Sequence, residues 1–258
     1  MSHTADDEQQ LLEPVLLPDF LNRLLYVPAK VPDAQPRLRL WVFLYLVAAP
    51  WVWIFTGFYI LDDHRAAIAL YALLCCLLPA LVLGRDHKAL QFLPLNAKPV
   101  GLLVAIAIGF MVLLGGWFFP YFNLVNFELL PERLTQLKIT PQLFWPFTFY
   151  FVIVNPLVEE LFWRGLVLRE LMLVTSPKIA LMLSSFFFGF WHWIIIQHFF
   201  EPFWTTWITL IIMIGGVIFG SLYQKTGTLM APVIVHALGA DLPIVIIVWN
   251  CMGRMGQL

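Results

Sequence analysis

An all-α, polytopic transmembrane helix bundle is predicted by three observations. The 258-residue chain is 61% hydrophobic and only 12% charged, against ~25% charged residues in ordinary soluble domains. Its mean hydropathy is +0.83. It also contains about seven apolar segments long enough to cross a hydrocarbon core of ~30 Å, with six to eight spans bracketing the reading.

Taken in order, residues 1–38 form a cytoplasmic N-terminal segment. It starts polar and acidic at Asp6, Asp7, Glu8, Gln9 and Gln10, then carries Leu17, Phe20, Leu21, Leu24 and Leu25 between charges. That pattern fits a short interfacial, partly amphipathic helix. Pro14, Pro18 and several charges break the apolar run that a cleavable signal peptide needs, so the first span is expected to act as an uncleaved anchor.

Residues 39–120 hold three apolar runs, 40–61, 66–84 and 99–120, joined by short polar hairpins. They read as a three-helix membrane scaffold, with Gly115 and Gly116 marking a close helix crossing. Residues 121–142 space Leu129, Leu130, Leu134 and Leu137 among Glu128, Glu132, Arg133 and Lys138, the pattern of an amphipathic surface helix. Residues 143–250 supply four more spans, at 143–168, 179–197, 203–224 and 226–250. This last region is where the chemistry is expected.

Net charge is −1, so no basic surface points to nucleic acid. The cations instead orient the spans by the positive-inside rule. With the N-terminus cytoplasmic, inner loops hold Arg23, Lys30, Arg37, Arg39, Arg85, Lys88, Lys98, Arg169, Lys178 and Lys225, while outer loops keep Arg65, Arg133, Lys138 and Arg254. The compact length suits a bacterial inner membrane. Cys75, Cys76 and Cys251 offer neither metal spacing nor a disulfide framework and read as packing residues.

The span at 143–168 is unusual because Glu159, Glu160 and Arg164 lie inside it. On insertion scales three such charges cost ~9 kcal/mol, so this helix needs polar partners, and intramembrane charges usually mean chemistry or transport. Glu160 and Arg164 sit at i, i+4 and can pair on one face. Glu159 projects ~100° away around the helix, which leaves it free for another role. Asn155 and Pro156 lie just upstream. The proline removes a helical hydrogen bond, opening the backbone beside the carboxylates.

Two later spans add polar groups. His192 follows Phe188 in the run Phe188-Gly189-Phe190-Trp191-His192, and His236 and Asp241 lie in the last span. Counting ~1.5 Å per residue from the cytoplasmic side puts Glu159 at ~15 Å, His236 at ~17 Å and His192 at ~21 Å. One Glu and two His residues can thus share one layer and surround a water or a metal ion. There is no His-Glu-x-x-His motif and no second intramembrane aspartate. Ser185 and His192 share a helix face, but a Ser-His pair would leave both glutamates unexplained.

Glu159-Glu160-x-x-x-Arg164, Phe188-x-x-x-His192 and His236 resemble the three signature motifs of the CPBP family of intramembrane proteases, which includes the CAAX prenyl endopeptidases and bacterial Abi-type proteins. The resemblance covers roughly residues 140–245. It implies that Glu159 and His192 activate a water, that His236 helps stabilise the oxyanion, and that Glu160, Arg164, Phe188 and Asp241 support them. The family usually has Asn or another polar residue four positions after the last histidine. Here that position is Ala240, with Asp241 one residue later.

The expected function is an endopeptidase that cleaves C-terminal or membrane-embedded peptide substrates with a Glu/His-activated water. The expected partners are a peptide or membrane-protein substrate and the lipid bilayer. No cofactor is required by this reading; were a divalent metal such as zinc used, Glu159, His192 and His236 would be its ligands. The rivals are a non-catalytic peptide-binding, immunity or scaffolding protein of the same fold, kept open by Ala240, and a proton-relaying transporter using the same three groups.

Overall fold

The structure, a computed structural model, describes residues 40–83, 140–198 and 200–254, with the short stretches 26–27, 37–38 and 102–109 and positions 132, 134 and 135. Among the described residues, five helices are long and apolar enough to cross a membrane. These are α1 (Leu40–Ile60), α2 (His64–Leu83), α4 (Pro177–Ile196), α5 (Pro202–Thr226) and α6 (Met230–Asn250). The charged helix, α3, runs without a break from 141 to 172.

The expected span at 99–120 is described only over 102–109, which is helical. Gly115, Gly116 and the N-terminal interfacial helix lie outside the described residues. Of the surface segment, Glu132 is exposed while Leu134 is buried; Leu134 joins Phe144, Val245, Val248 and Met252 in a small apolar cluster. The only strand pairing among the described residues joins Tyr26–Val27 to Arg37–Leu38.

Local chemistry sets the helix starts. Asp63 caps α2, its carboxylate accepting from the backbone N–H groups of Arg65 and Ala66. Ser176 caps α4 by accepting from Ile179 N–H, with Pro177 at the first helical position. Gly227 ends α5 in the left-handed conformation, φ +67°, where a residue without Cβ avoids strain.

Helix α3 packs against α1, α2, α4, α5 and α6, and every residue from 159 to 168 is buried. This is the arrangement its charges require: no part of Glu159, Glu160 or Arg164 is offered to acyl chains, and each finds polar partners on neighbouring helices. Apolar side chains flank them, with Phe162 and Trp163 completely buried in the main core.

π-helical turns interrupt the bundle at Thr56–Ile60, Tyr71–Leu77, Tyr150–Val154, Trp163–Leu168 and Ala237–Asp241. Each widens the helix by one residue per turn, a feature common beside functional sites. The turn at Tyr150–Val154 stands where Pro156 was expected to open α3, and the Asn155 N–H reaches back five residues to the Tyr150 carbonyl.

Candidate active site

Glu160 and Arg164 form the expected i, i+4 ion pair, with Arg164 Nη1 donating to Glu160 Oε1 at 2.8 Å. Both side chains are fully out of contact with solvent, at 0% and 1% exposure. Removing a pair of charges from water costs several kcal/mol per ion, so the remaining donors must be used. Arg164 Nη2 donates to the Gly216 carbonyl at 3.1 Å. Its guanidinium also lies over the rings of Phe188 and Phe219, at 4.5 and 5.2 Å, where the ring quadrupoles attract it.

The same Glu160 oxygen meets His236 Nδ1 at 2.8 Å. An ionised carboxylate only accepts, so Nδ1 carries a proton and donates. This fixes the Nδ1–H and the ring orientation, and Phe219 stacks on the ring at 4.8 Å and 16°. Nε2 is turned to the opposite side. There it stands 3.7 Å from Glu159 Oε2 and 3.6 Å from Asp241 Oδ1.

Glu159 therefore occupies a different face from Glu160, as the helix geometry predicts. Its Oε1 accepts from the Tyr71 hydroxyl at 2.8 Å, and that hydroxyl in turn accepts from Trp163 Nε1–H at 3.2 Å. Oε2 has no hydrogen-bond partner among the described residues although Glu159 is buried. A carboxylate with one oxygen anchored and the other unpaired beside an imidazole nitrogen is built to hold something. The 3.6–3.7 Å gaps around His236 Nε2 exceed a hydrogen bond, yet one water lying beside the three atoms could reach them all.

Tyr71 was not foreseen. It lies on α2, outside the segment whose motifs drew attention, and a tyrosine in an apolar run reads as packing. The available signal was its hydroxyl, because a buried phenol normally finds a hydrogen-bond partner and the glutamates were the partners on offer.

Asp241 resolves the mismatch at Ala240. In an α-helix, the side chain over His236 would come from position 240. The π-helical turn Ala237–Asp241, closed by Leu242 N–H to the Ala237 carbonyl, inserts one residue and carries position 241 round instead. Asp241 Oδ1 then faces His236 Nε2, and Oδ2 accepts from Asn155 Nδ2 at 3.3 Å.

His192 does not touch Glu159. It opens the short terminal turn of α4 after a break at Trp191, and its Nδ1 lies 2.7 Å from the Phe188 carbonyl. A carbonyl only accepts, so Nδ1 is the protonated nitrogen and Nε2 of the neutral ring carries a lone pair. The ring reaches the site through aromatic neighbours: Phe188 contacts both His192 and His236, and Trp191 lies between His192 and Tyr71. His192 is half-buried, which puts it at the rim of a site whose other polar groups are enclosed. Trp191 Nε1 is buried without a hydrogen-bond partner among the described residues.

Ser184 Oγ donates to the Trp163 carbonyl at 3.4 Å, and Ser185 Oγ has no hydrogen-bond partner among the described residues, so neither serine pairs with His192. Among the described residues, no three His, Cys, Asp or Glu side chains are placed to hold a metal ion. The donor set considered for zinc is divided, since His192 is one aromatic ring away from Glu159 and His236. Cys75 and Cys76 are buried as free thiols, as expected of packing residues.

Searches of curated proteins and of solved structures each gave no match. The family model described as Type II CAAX prenyl endopeptidase Rce1-like matches residues 141–240, the stretch that carries Glu159, Glu160, Arg164, His192 and His236. Residues 141–240 are thus similar to the CPBP/CAAX protease family.

Proposed function

We propose that the protein is an intramembrane endopeptidase in which Glu159 is the general base for a nucleophilic water. The observation that carries this reading is the half-used carboxylate of Glu159, held through Oε1 by Tyr71 and unpaired at Oε2 beside His236 Nε2. Glu159 takes a proton from water as the oxygen attacks the scissile carbonyl carbon. The tetrahedral intermediate then collapses as that proton passes to the departing amine, giving an acid and an amine from one peptide bond and one water. His236, its Nδ1–H held by Glu160, acts as the imidazolium and donates Nε2–H to the oxyanion.

His192 assists water activation from the rim, its Nε2 lone pair accepting from a second water that relays to the nucleophilic one. No step runs through a metal in this scheme. The substrate is a C-terminal or membrane-embedded peptide that enters from the cytoplasmic side of a bacterial inner membrane, with the N-terminus in the cytoplasm. The rival reading, peptide binding without hydrolysis, drew on Ala240. The π-helical turn that returns a polar side chain to His236 supports the catalytic one.

The test is comparative peptidomics of cells carrying the intact protein and cells carrying Glu159→Gln. Cleavage products are expected only with the intact protein, and Glu159→Ala and His192→Ala are expected to lose cleavage while remaining folded in membranes. Identical peptidomes, or cleavage retained in Glu159→Ala, would overturn the mechanism.

A further inference from the structure

Two helices meet at the site in a two-rung ladder. On α3, Asn155 and Glu159 are one α-helical turn apart and share a face. On α6, His236 and Asp241 are brought onto one face by the π-helical turn between them. Glu159 Oε2 stands opposite His236 Nε2 at 3.7 Å, and Asn155 Nδ2 opposite Asp241 Oδ2 at 3.3 Å. One rung holds the base. The other holds a carboxamide against a carboxylate.

The second rung poses a chemical problem for hydrolysis. A tetrahedral intermediate develops negative charge on the former carbonyl oxygen, which needs N–H or O–H donors aimed at it. An ionised aspartate has none to offer, and its own charge repels an oxyanion nearby. Arg164 is engaged on Glu160 and Gly216, and the Tyr71 hydroxyl on Glu159; the Tyr150 hydroxyl, which interacts with Glu159 and Asp241, has no hydrogen-bond partner among the described residues and is a second uncommitted donor. Asn155 is the other, because its amide carries two hydrogens and Asp241 takes only one. The residue is also half-buried rather than sealed, as a group that meets substrate should be.

Resting on the hydrolytic reading above, we infer that Asn155 is a catalytic residue, its carboxamide N–H being a donor to the oxyanion alongside His236. Asp241 is a positioning residue that holds the Asn155 amide by accepting its other hydrogen. The side chain opposite His236 on α6 thus orients a donor located on α3, one turn before the base.

The experiment uses full-length protein in lipid nanodiscs. Its probe is the peptide most depleted by the intact protein relative to Glu159→Gln in the peptidome comparison, synthesised with a fluorophore and quencher. Asn155→Ala is expected to lower kcat about 10²-fold, as loss of one oxyanion donor does, with KM changed by less than about threefold and an unchanged melting temperature. Adding Asp241→Asn to Asn155→Ala places an amide next to His236 again and is expected to recover at least about tenfold of kcat.

A purely structural Asn155–Asp241 contact predicts no such recovery, since the double variant does not rebuild that pair. Wild-type kcat in Asn155→Ala, or no recovery in the double variant, overturns the inference while inactive Glu159→Ala keeps the hydrolytic reading intact. Cleavage by Glu159→Ala, or no peptide depleted by the intact protein, overturns both.

Discussion

The Tyr71 hydroxyl donates to Glu159 Oε1 across 2.8 Å, joining residues 88 positions apart in the chain. The bond leaves Oε2 unpaired and is itself backed by Trp163 Nε1–H. Tyr71→Phe keeps the ring and its contact with Trp191 but frees the carboxylate to rotate. We expect kcat to fall about tenfold, equivalent to ~1.4 kcal/mol, with KM nearly constant because no substrate contact is removed. A kcat equal to wild type would show that Glu159 is positioned without Tyr71.

The ion pair beneath His236 has a different signature. Arg164→Met strands the Glu160 carboxylate in the core, a change that typically costs 3–5 kcal/mol in a buried pair. Folded yield after detergent extraction, read by size-exclusion chromatography, should drop sharply. Combining Arg164→Met with Glu160→Gln removes the stranded charge and should restore much of that yield. Activity should stay low, because the Glu160 carboxylate also fixes His236 Nδ1. Wild-type yield in Arg164→Met alone would refute the pairing as a stabilising element.

Much of this site was legible in the sequence, for physical reasons. Charges in an apolar helix force burial at a helix junction, and 3.6-residue periodicity separates Glu159 from Glu160 and joins Glu160 to Arg164. What stayed hidden depends on one-residue changes of register and on long-range pairing. The π-helical turn at Ala237–Asp241 has no compositional mark, so Ala240 looked like a loss when Asp241 had taken its place. Tyr71 belongs to a span with no motif, and only tertiary packing tells which buried acceptor its hydroxyl finds. Depth counting assigns His192 to the layer of Glu159 but gives no azimuth, and the ring sits behind Phe188 and Trp191 rather than against Glu159.

Two glycines should both lose stability on the same substitution but differ in activity. A Cβ on Gly216 would lie 3.0 Å from Ser185 Cα and 3.2 Å from Phe188 Cδ1, where α4 and α5 approach closely, and the Gly216 carbonyl also accepts from Arg164. Gly216→Ala should destabilise by about 1–3 kcal/mol through overpacking and lower activity by shifting Arg164 and Phe188. Gly227 has φ +67° and open space around it. Gly227→Ala should cost only the ~1–2 kcal/mol of left-handed strain and leave kcat unchanged. Equal loss of activity in the two variants would show that helix separation at Gly216 does not govern the site.

His192 offers a way to separate holding from catalysis. Its Nδ1–H is committed to the Phe188 carbonyl at 2.7 Å, so replacing it with Ala removes that bond together with the Nε2 lone pair. Asn at this position keeps a short-reach N–H donor for the carbonyl and deletes only the outer nitrogen. If Nε2 assists Glu159 by accepting from a relaying water, His192→Asn should retain the melting temperature of the native protein while kcat falls at least about 10²-fold, the lower range for a lost acid–base group. If His192 serves only to tie the end of α4 to Phe188, His192→Asn should cleave at a rate close to wild type, and that outcome would remove His192 from the chemistry.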